Sequence, residues 1–233
     1  MTPDRTELLA LVRSSPAYVG EHDKAGWLGI FGREHVVEDP VGSRPVRSEE
    51  PGDLARFWDT FIAPNDIEFQ VDHDWVNGFD VARDVTIVTT LRPGVVVRTP
   101  AHLLYQTAYE HGILKVRRMA AHWEPRPVYL QLMRPTRAHV GAALGQFAHM
   151  FGTLGLMPSL QFVAAARHLG WRRKRELLEG LAGEGITRVS KVIASGRSVS
   201  ASGELDGAPV AVIAWFHPRS HELEELTIYA DLA

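Results

Sequence analysis

The sequence predicts an α+β fold. Apolar residues recur with the period of a helix as far as Ile62, and from Ile67 onward the period falls to two. The same order, helices and then a meander of strands, returns after Arg134-Pro135, with little sequence shared between the two stretches.

Leu8, Leu9, Leu11 and Val12 make a short helical stripe, with Thr2 as its cap before Pro3. Ser15-Pro16 predicts a fresh helix start, because Ser caps and Pro suits the first turn. Trp27, Leu28, Ile30 and Phe31 keep helical spacing up to Gly32. A helix over 52–62 puts Leu54, Phe57, Trp58 and Phe61 on one face and stops at Pro64-Asn65. A short extended segment, Val36 to Pro40, interrupts this helical region. Ile67, Phe69 and Val71 then alternate as in a half-buried strand, and Val81 to Leu91 is a longer β-branched strand. Pro93-Gly94 turns the chain into a strand that reaches Tyr105, and His111-Gly112 turns it into Leu114 to Trp123.

Residues 136–183 read as helices, carried by Val140, Leu144, Phe147 and Phe151, by Leu160, Phe162 and Val163, and by Leu177, Leu178 and Leu181. Four strands close the chain: Val189 to Ile193, Val199 to Leu205, Val210 to Phe216 and Leu223 to Tyr229, with Asp206-Gly207 as a hairpin signal. The expected division is a first unit over 1–133 and a second over 134–233, a truncated echo of the first packed against it.

The 25 basic and 28 acidic residues leave a net charge of −3, which argues against a nucleic-acid partner. Cysteine is absent, so disulfides and thiolate metal sites are excluded, and a reducing cytoplasm fits. The N-terminus, Met1-Thr2-Pro3-Asp4-Arg5, has no signal-peptide apolar core, and runs such as Pro209 to Phe216 are far shorter than a membrane span. No phosphate loop, serine-nucleophile elbow or zinc motif is present. The expectation is a cytoplasmic protein with no metal, no organic cofactor and no membrane partner.

The segment Val36-Val37-Glu38-Asp39-Pro40-Val41-Gly42, set between Phe31 and the helix Leu54 to Ile62, resembles the start of the ketosteroid isomerase sheet. Tyr109-Glu110-His111-Gly112, followed by Arg118-Met119-Ala120-Ala121-His122-Trp123-Glu124, resembles that family's last hairpin. On these anchors residues 1–133 resemble the ketosteroid isomerase and nuclear transport factor 2-like superfamily, which also holds polyketide cyclases, dehydratases, epoxide hydrolases and non-enzymatic binding proteins. The resemblance implies a cone, in which a curved antiparallel sheet and N-terminal helices enclose an apolar pocket, here with a C-terminal helical and antiparallel-strand extension. It also implies a homodimer, since exposed sheets of this fold pair. Fold alone leaves function open.

Asp39 falls where the resemblance places a general base, a role suited to a carboxylate at the mouth of an apolar pocket. An Asp before Pro also fixes a turn through nearby backbone, and both readings stand. The family's oxyanion Tyr falls at Ser15, with Tyr18 one turn later as a substitute. The second donor falls near Leu104, which cannot donate, or Gln106, which donates weakly. Met119, Ala121 and Trp123 alternate on the face that lines the pocket in the resemblance, or simply pack the core. Trp27, Phe31 and Trp58 are the expected helical walls. His102 shares parity with Leu104 and Gln106 and is expected to reach the pocket as acid, base or donor, or to be a satisfied structural histidine. His122 falls on the face opposite Met119, Ala121 and Trp123 unless a bulge intervenes.

Asp72-His73-Asp74 reads as a solvated loop, with a site for a polar ligand or water as the alternative. His217 and His221 flank a turn rather than a helix face, which argues against a metal site. Arg172-Arg173-Lys174-Arg175 reads as a solvated helix face, with an acidic partner as the alternative. Two functions fit the chain. One is a cofactor-independent isomerase, dehydratase or cyclase that binds an apolar small molecule and uses Asp39 as base. The other is a non-catalytic ligand-binding or dimerising protein of the same fold.

Overall fold

The computed structural model describes residues 3–155, 159, 170–217, 219–220 and 222–231, leaving aside the side chains of 170–173 and 182. The expectations for Thr2, Leu160, Phe162, Val163 and His221 lie outside the described residues.

Helix α1 (Arg5–Gly20) buries Leu8, Val12, Ser15 and Val19, one turn apart along a single face. It runs unbroken through Pro16, so Ser15 is a mid-helix residue and not a cap. Asp23 caps α2 (Lys24–Gly29), its Oδ1 accepting from Gly26 N at 2.9 Å. The chain then extends earlier than its helical spacing suggests: Phe31 opens β1 (Phe31–Glu38). After β2 (Val46–Arg47), the predicted helix over 52–62 is α3 (Asp53–Phe57) followed by a π-helical turn, Trp58–Ile62.

Four long strands follow: β3 (Asp66–Asn77), β4 (Asp80–Leu91), β5 (Val95–Glu110) and β6 (Ile113–His122). The sheet order is β2-β1-β6-β5-β4-β3. Every neighbouring pair is antiparallel except β1 and β6, which run parallel, with Val37 beside Met119. The curved sheet is therefore mixed and not purely antiparallel. Asp72-His73-Asp74 belongs to β3 rather than to a loop, at a register shift between Val71 and His73.

Helices α4 (Pro125–Leu132) and α5 (Arg137–Leu154) lie over the open end of the cone, where Leu132 and Ala142 meet Leu91, Val95 and Val97. Helix α6 (Gly170–Gly183) then leads into β7 (Ile186–Ser195), β8 (Ser198–Leu205), β9 (Ala208–Phe216) and β10 (Leu223–Ala230), an antiparallel sheet in the order β10-β9-β8-β7. Asp206 and Gly207 both take positive φ, 52° and 82°, as their hairpin requires.

The second sheet has two apolar faces. One packs on Leu177 and Leu181 of α6. The other lies on the outer face of the cone sheet, where Val41, Trp75, Ala82, Leu104 and Ala120 meet Ala211, Ile213, Trp215 and Tyr229. The cone face whose exposure suggested a homodimer is thus covered by the chain's own C-terminal strands.

Candidate active site in the cone

Alternation along the strands decides which side chains face the cavity. Leu103 and Tyr105 of β5 stand opposite Ala121 and Met119 of β6 and point inward. His102 stands opposite His122, and both point outward. The cavity has a volume of about 210 Å³. Its walls include Trp27, Asp39, Met119 and Trp123 from the expected set, with Phe57, Phe61, Phe69 and Leu103. The cap adds Val128, Tyr129, Leu132, Phe147 and Met150. Phe31, Trp58 and Ala121 are buried in the surrounding core and pack behind this wall. Trp27 joins the two layers, stacked on Phe57 at 6.0 Å and edge-on to Phe31 at 4.8 Å.

Asp39 sits at the end of β1, on the apolar wall. Its Oδ1 accepts the indole N–H of Trp123 at 2.6 Å. Burial disfavours the charged carboxylate and pushes its pKa up to about 6, against the smaller opposing effect of the Trp123 bond. Asp39 also borders a second cavity, lined by Val37, Arg44, Arg56 and Phe57, so the carboxylate stands between two openings.

A hydroxyl pair lines the same cavity. Tyr105 OH donates to Ser15 Oγ at 3.3 Å, and Trp27 Nε1 donates to the same oxygen at 3.2 Å. With both bonds accepted, the Ser15 hydrogen is free to turn toward the cavity. The Tyr105 phenol has its pKa raised, by burial first and in part by the nearby Asp39 charge. Sequence counting missed this pair because it took Ser15 as a lost donor and placed Leu104, not Tyr105, on the inner face.

Three expected site residues lie elsewhere. His102 is buried between the sheets, with Nδ1 2.8 Å from Ser200 Oγ and Nε2 2.8 Å from Ser202 Oγ. Burial lowers its pKa to about 4, so the ring is neutral at pH 7. Gln106 faces outward and bonds Asp80 and Arg118. Tyr18 packs beside Gly26 of α2 at the edge of the core, away from the cavity walls. Among the described residues no group of three or more His, Asp or Glu is placed to hold a metal ion.

No family model matches the sequence, and no curated protein matches it. Similarity comes from solved structures and covers about half of the chain. The chain is similar to solved ketosteroid isomerase-like structures. A Δ5-3-ketosteroid isomerase from a Mycobacterium species aligns at 24% identity and TM-score 0.47, over 52% of this chain and 95% of that one. A Mycobacterium tuberculosis protein solved with estradiol-17β-hemisuccinate aligns at 21% identity and TM-score 0.45, over 51% and 94%. A Mycobacterium tuberculosis LEH-like epoxide hydrolase aligns at 16% identity and TM-score 0.47, over 61% and 99%. No helix among the described residues is long and apolar enough to cross a membrane.

Proposed function

We propose that this chain binds an apolar carbonyl compound in the cone and moves a proton on it without a cofactor, with Asp39 as general base. One observation carries the reading: a carboxylate raised to about 6 shares an apolar cavity with the Ser15–Tyr105 hydroxyl pair. A base needs a pKa near the working pH, and the developing oxyanion needs a donor already in place. Asp39 takes a proton from the carbon beside the carbonyl, and Ser15, polarised by Tyr105 and Trp27, donates to the carbonyl oxygen. Return of that proton to another carbon gives isomerisation; expulsion of a β-hydroxyl as water gives dehydration. The apolar walls bind ground state and transition state alike, whereas Asp39 and Ser15 act on charge that appears only in the transition state.

The Trp123–Asp39 bond also supports a second reading, a binding protein in which the carboxylate merely anchors the wall. Asp39→Asn separates the two. As a base, its loss removes turnover of an apolar enone and leaves Kd nearly unchanged; as an anchor, it lowers melting temperature and leaves any turnover intact. Residues 1–133 supply the cone and the first cap helix, α4, and residues 134–233 supply the second cap helix, α5, and the outer sheet.

A further inference from the structure

Residues 125–175 carry eight Lys and Arg and no Asp or Glu, in a chain whose net charge is −3. This stretch includes the helical hairpin α4–α5 that caps the cavity. The inner faces of both helices are accounted for: Val128, Leu132, Phe147 and Met150 line the cavity, and Ala142 is buried. The outer faces are apolar as well. Leu130 and Met133 are 60% and 75% exposed, and Val140 and Leu144, one turn apart on α5, are 51% and 66% exposed. Arg126, Arg134 and Arg137 are exposed beside them, and none has an acidic partner among the described residues. The four residues between α4 and α5 hold these groups on one hairpin.

We propose that the outer face of α4–α5 docks on an anionic lipid surface, with Leu130, Met133, Val140 and Leu144 entering the headgroup–acyl boundary and the arginines meeting lipid phosphates. Apolar side chains flanked by cations with no acidic partner among the described residues, in a stretch whose sequence holds no acid, are the composition an interfacial helix requires. Each arginine near such a surface strengthens binding, and salt weakens it. A soluble acidic protein would meet the charge but leave four large apolar side chains without a reason to be exposed. The consequence for the cavity is that its cap would rest where apolar compounds partition; that consequence rests on the ligand reading above, while the docking itself does not.

Flotation of the 233-residue chain with phosphatidylcholine vesicles, with and without 30 mol% phosphatidylglycerol, tests the proposal. Binding is expected only with the anionic lipid, falling as salt rises. Arg134→Gln with Arg137→Gln is expected to lower partitioning by about 25-fold, from roughly fivefold per charge. Leu130→Ser with Leu144→Ser is expected to abolish it, while binding of a water-soluble apolar dye in the cavity is unchanged. Equal binding to neutral vesicles, binding untouched by both variants, or no binding to either vesicle overturns the proposal. So does a dimer in solution that the Leu130→Ser, Leu144→Ser protein loses, which would assign the face to a second copy. Loss of dye binding in wild type with vesicle binding intact would instead count against the ligand reading alone.

Discussion

Gly42 and Gly196 meet backbone to backbone: a Cβ added to Gly196 would lie 2.5 Å from Gly42 Cα. Gly42 follows Asp39 in the loop after β1, and Gly196 forms the turn between β7 and β8, so the second sheet touches the loop that carries the candidate base. Ser195 Oγ reinforces the contact, 2.8 Å from Val41 O and 3.0 Å from Trp123 O. Both glycines have positive φ, +93° and +54°, where any side chain is strained. Gly196→Ala is expected to cost about 2 kcal/mol and to lower the melting temperature by about 4–8 °C. Calorimetry checks this, and a simultaneous change in the pH profile of turnover would show that Asp39 had moved.

Asp39 gives turnover and stability opposite responses to pH. The base works only when ionised, so kcat/KM is expected to rise through about pH 6 and then level. The folded carboxylate holds its proton more tightly than the unfolded one, so its contribution to stability is full below 3.8 and is lost as pH rises through about 6. Asp39→Asn should therefore abolish turnover while flattening this part of the stability profile. Denaturant midpoints between pH 4 and 7 measure it.

The histidines between the sheets act in the other direction. Burial lowers His102 to about 4 and His122 to about 3, below the ordinary 6.5. Stability from these neutral rings is full above pH 6.5 and drains as pH falls toward 4. Among the described residues the His122 side chain makes one hydrogen bond, to Ser198, and its Nε2 has no partner. Ser198 itself still donates to Ser195 O. His122→Phe should thus soften acid unfolding at little cost near pH 7.5, as urea titrations at both ends of that range would record.

Lys191 closes the polar seam, bonded to the buried Asp84, which also accepts from Ser202. Lys191→Ala leaves that carboxylate buried without a cation and is expected to cost about 3 kcal/mol. Lys191→Met with Asp84→Asn should recover more than half of the loss in guanidinium unfolding, since the uncompensated charge is then gone.

A chain ending at Met133 would expose Ala82, Leu104, Ala120 and both buried histidines to water. It is expected to aggregate or to melt well below the full chain. Size-exclusion chromatography showing a monomer of unchanged heat stability would refute the packing argument.

The strands were legible because period two survives in sequence, and the places of Asp39, Met119 and Trp123 on the cavity wall were legible through motif order and that of Trp27 through helical spacing. The inward side of β5 was not. Counting back from the Glu110–Ile113 pair without interruption puts Leu104 opposite Met119 and His102 opposite Ala121. The register shift after Gln106 inserts Arg117 as an extra residue in β6, and Tyr105 faces Met119 instead. One bulge thus exchanged a supposed catalytic histidine for an unsuspected tyrosine. Pro16 misled for a different reason: the burial of Leu8, Val12, Ser15 and Val19 along one continuous face outweighs the bond a mid-helix proline forgoes.

The sheet that covers the cone is tethered to it by its own backbone. Two separate chains meeting across this face would obey mass action, parting on dilution and re-forming on concentration. Here the partner is always present at the effective concentration a covalent link imposes. The grip of Gly196 and Ser195 on the loop behind Asp39 is therefore as complete in a single molecule as in a crowded solution.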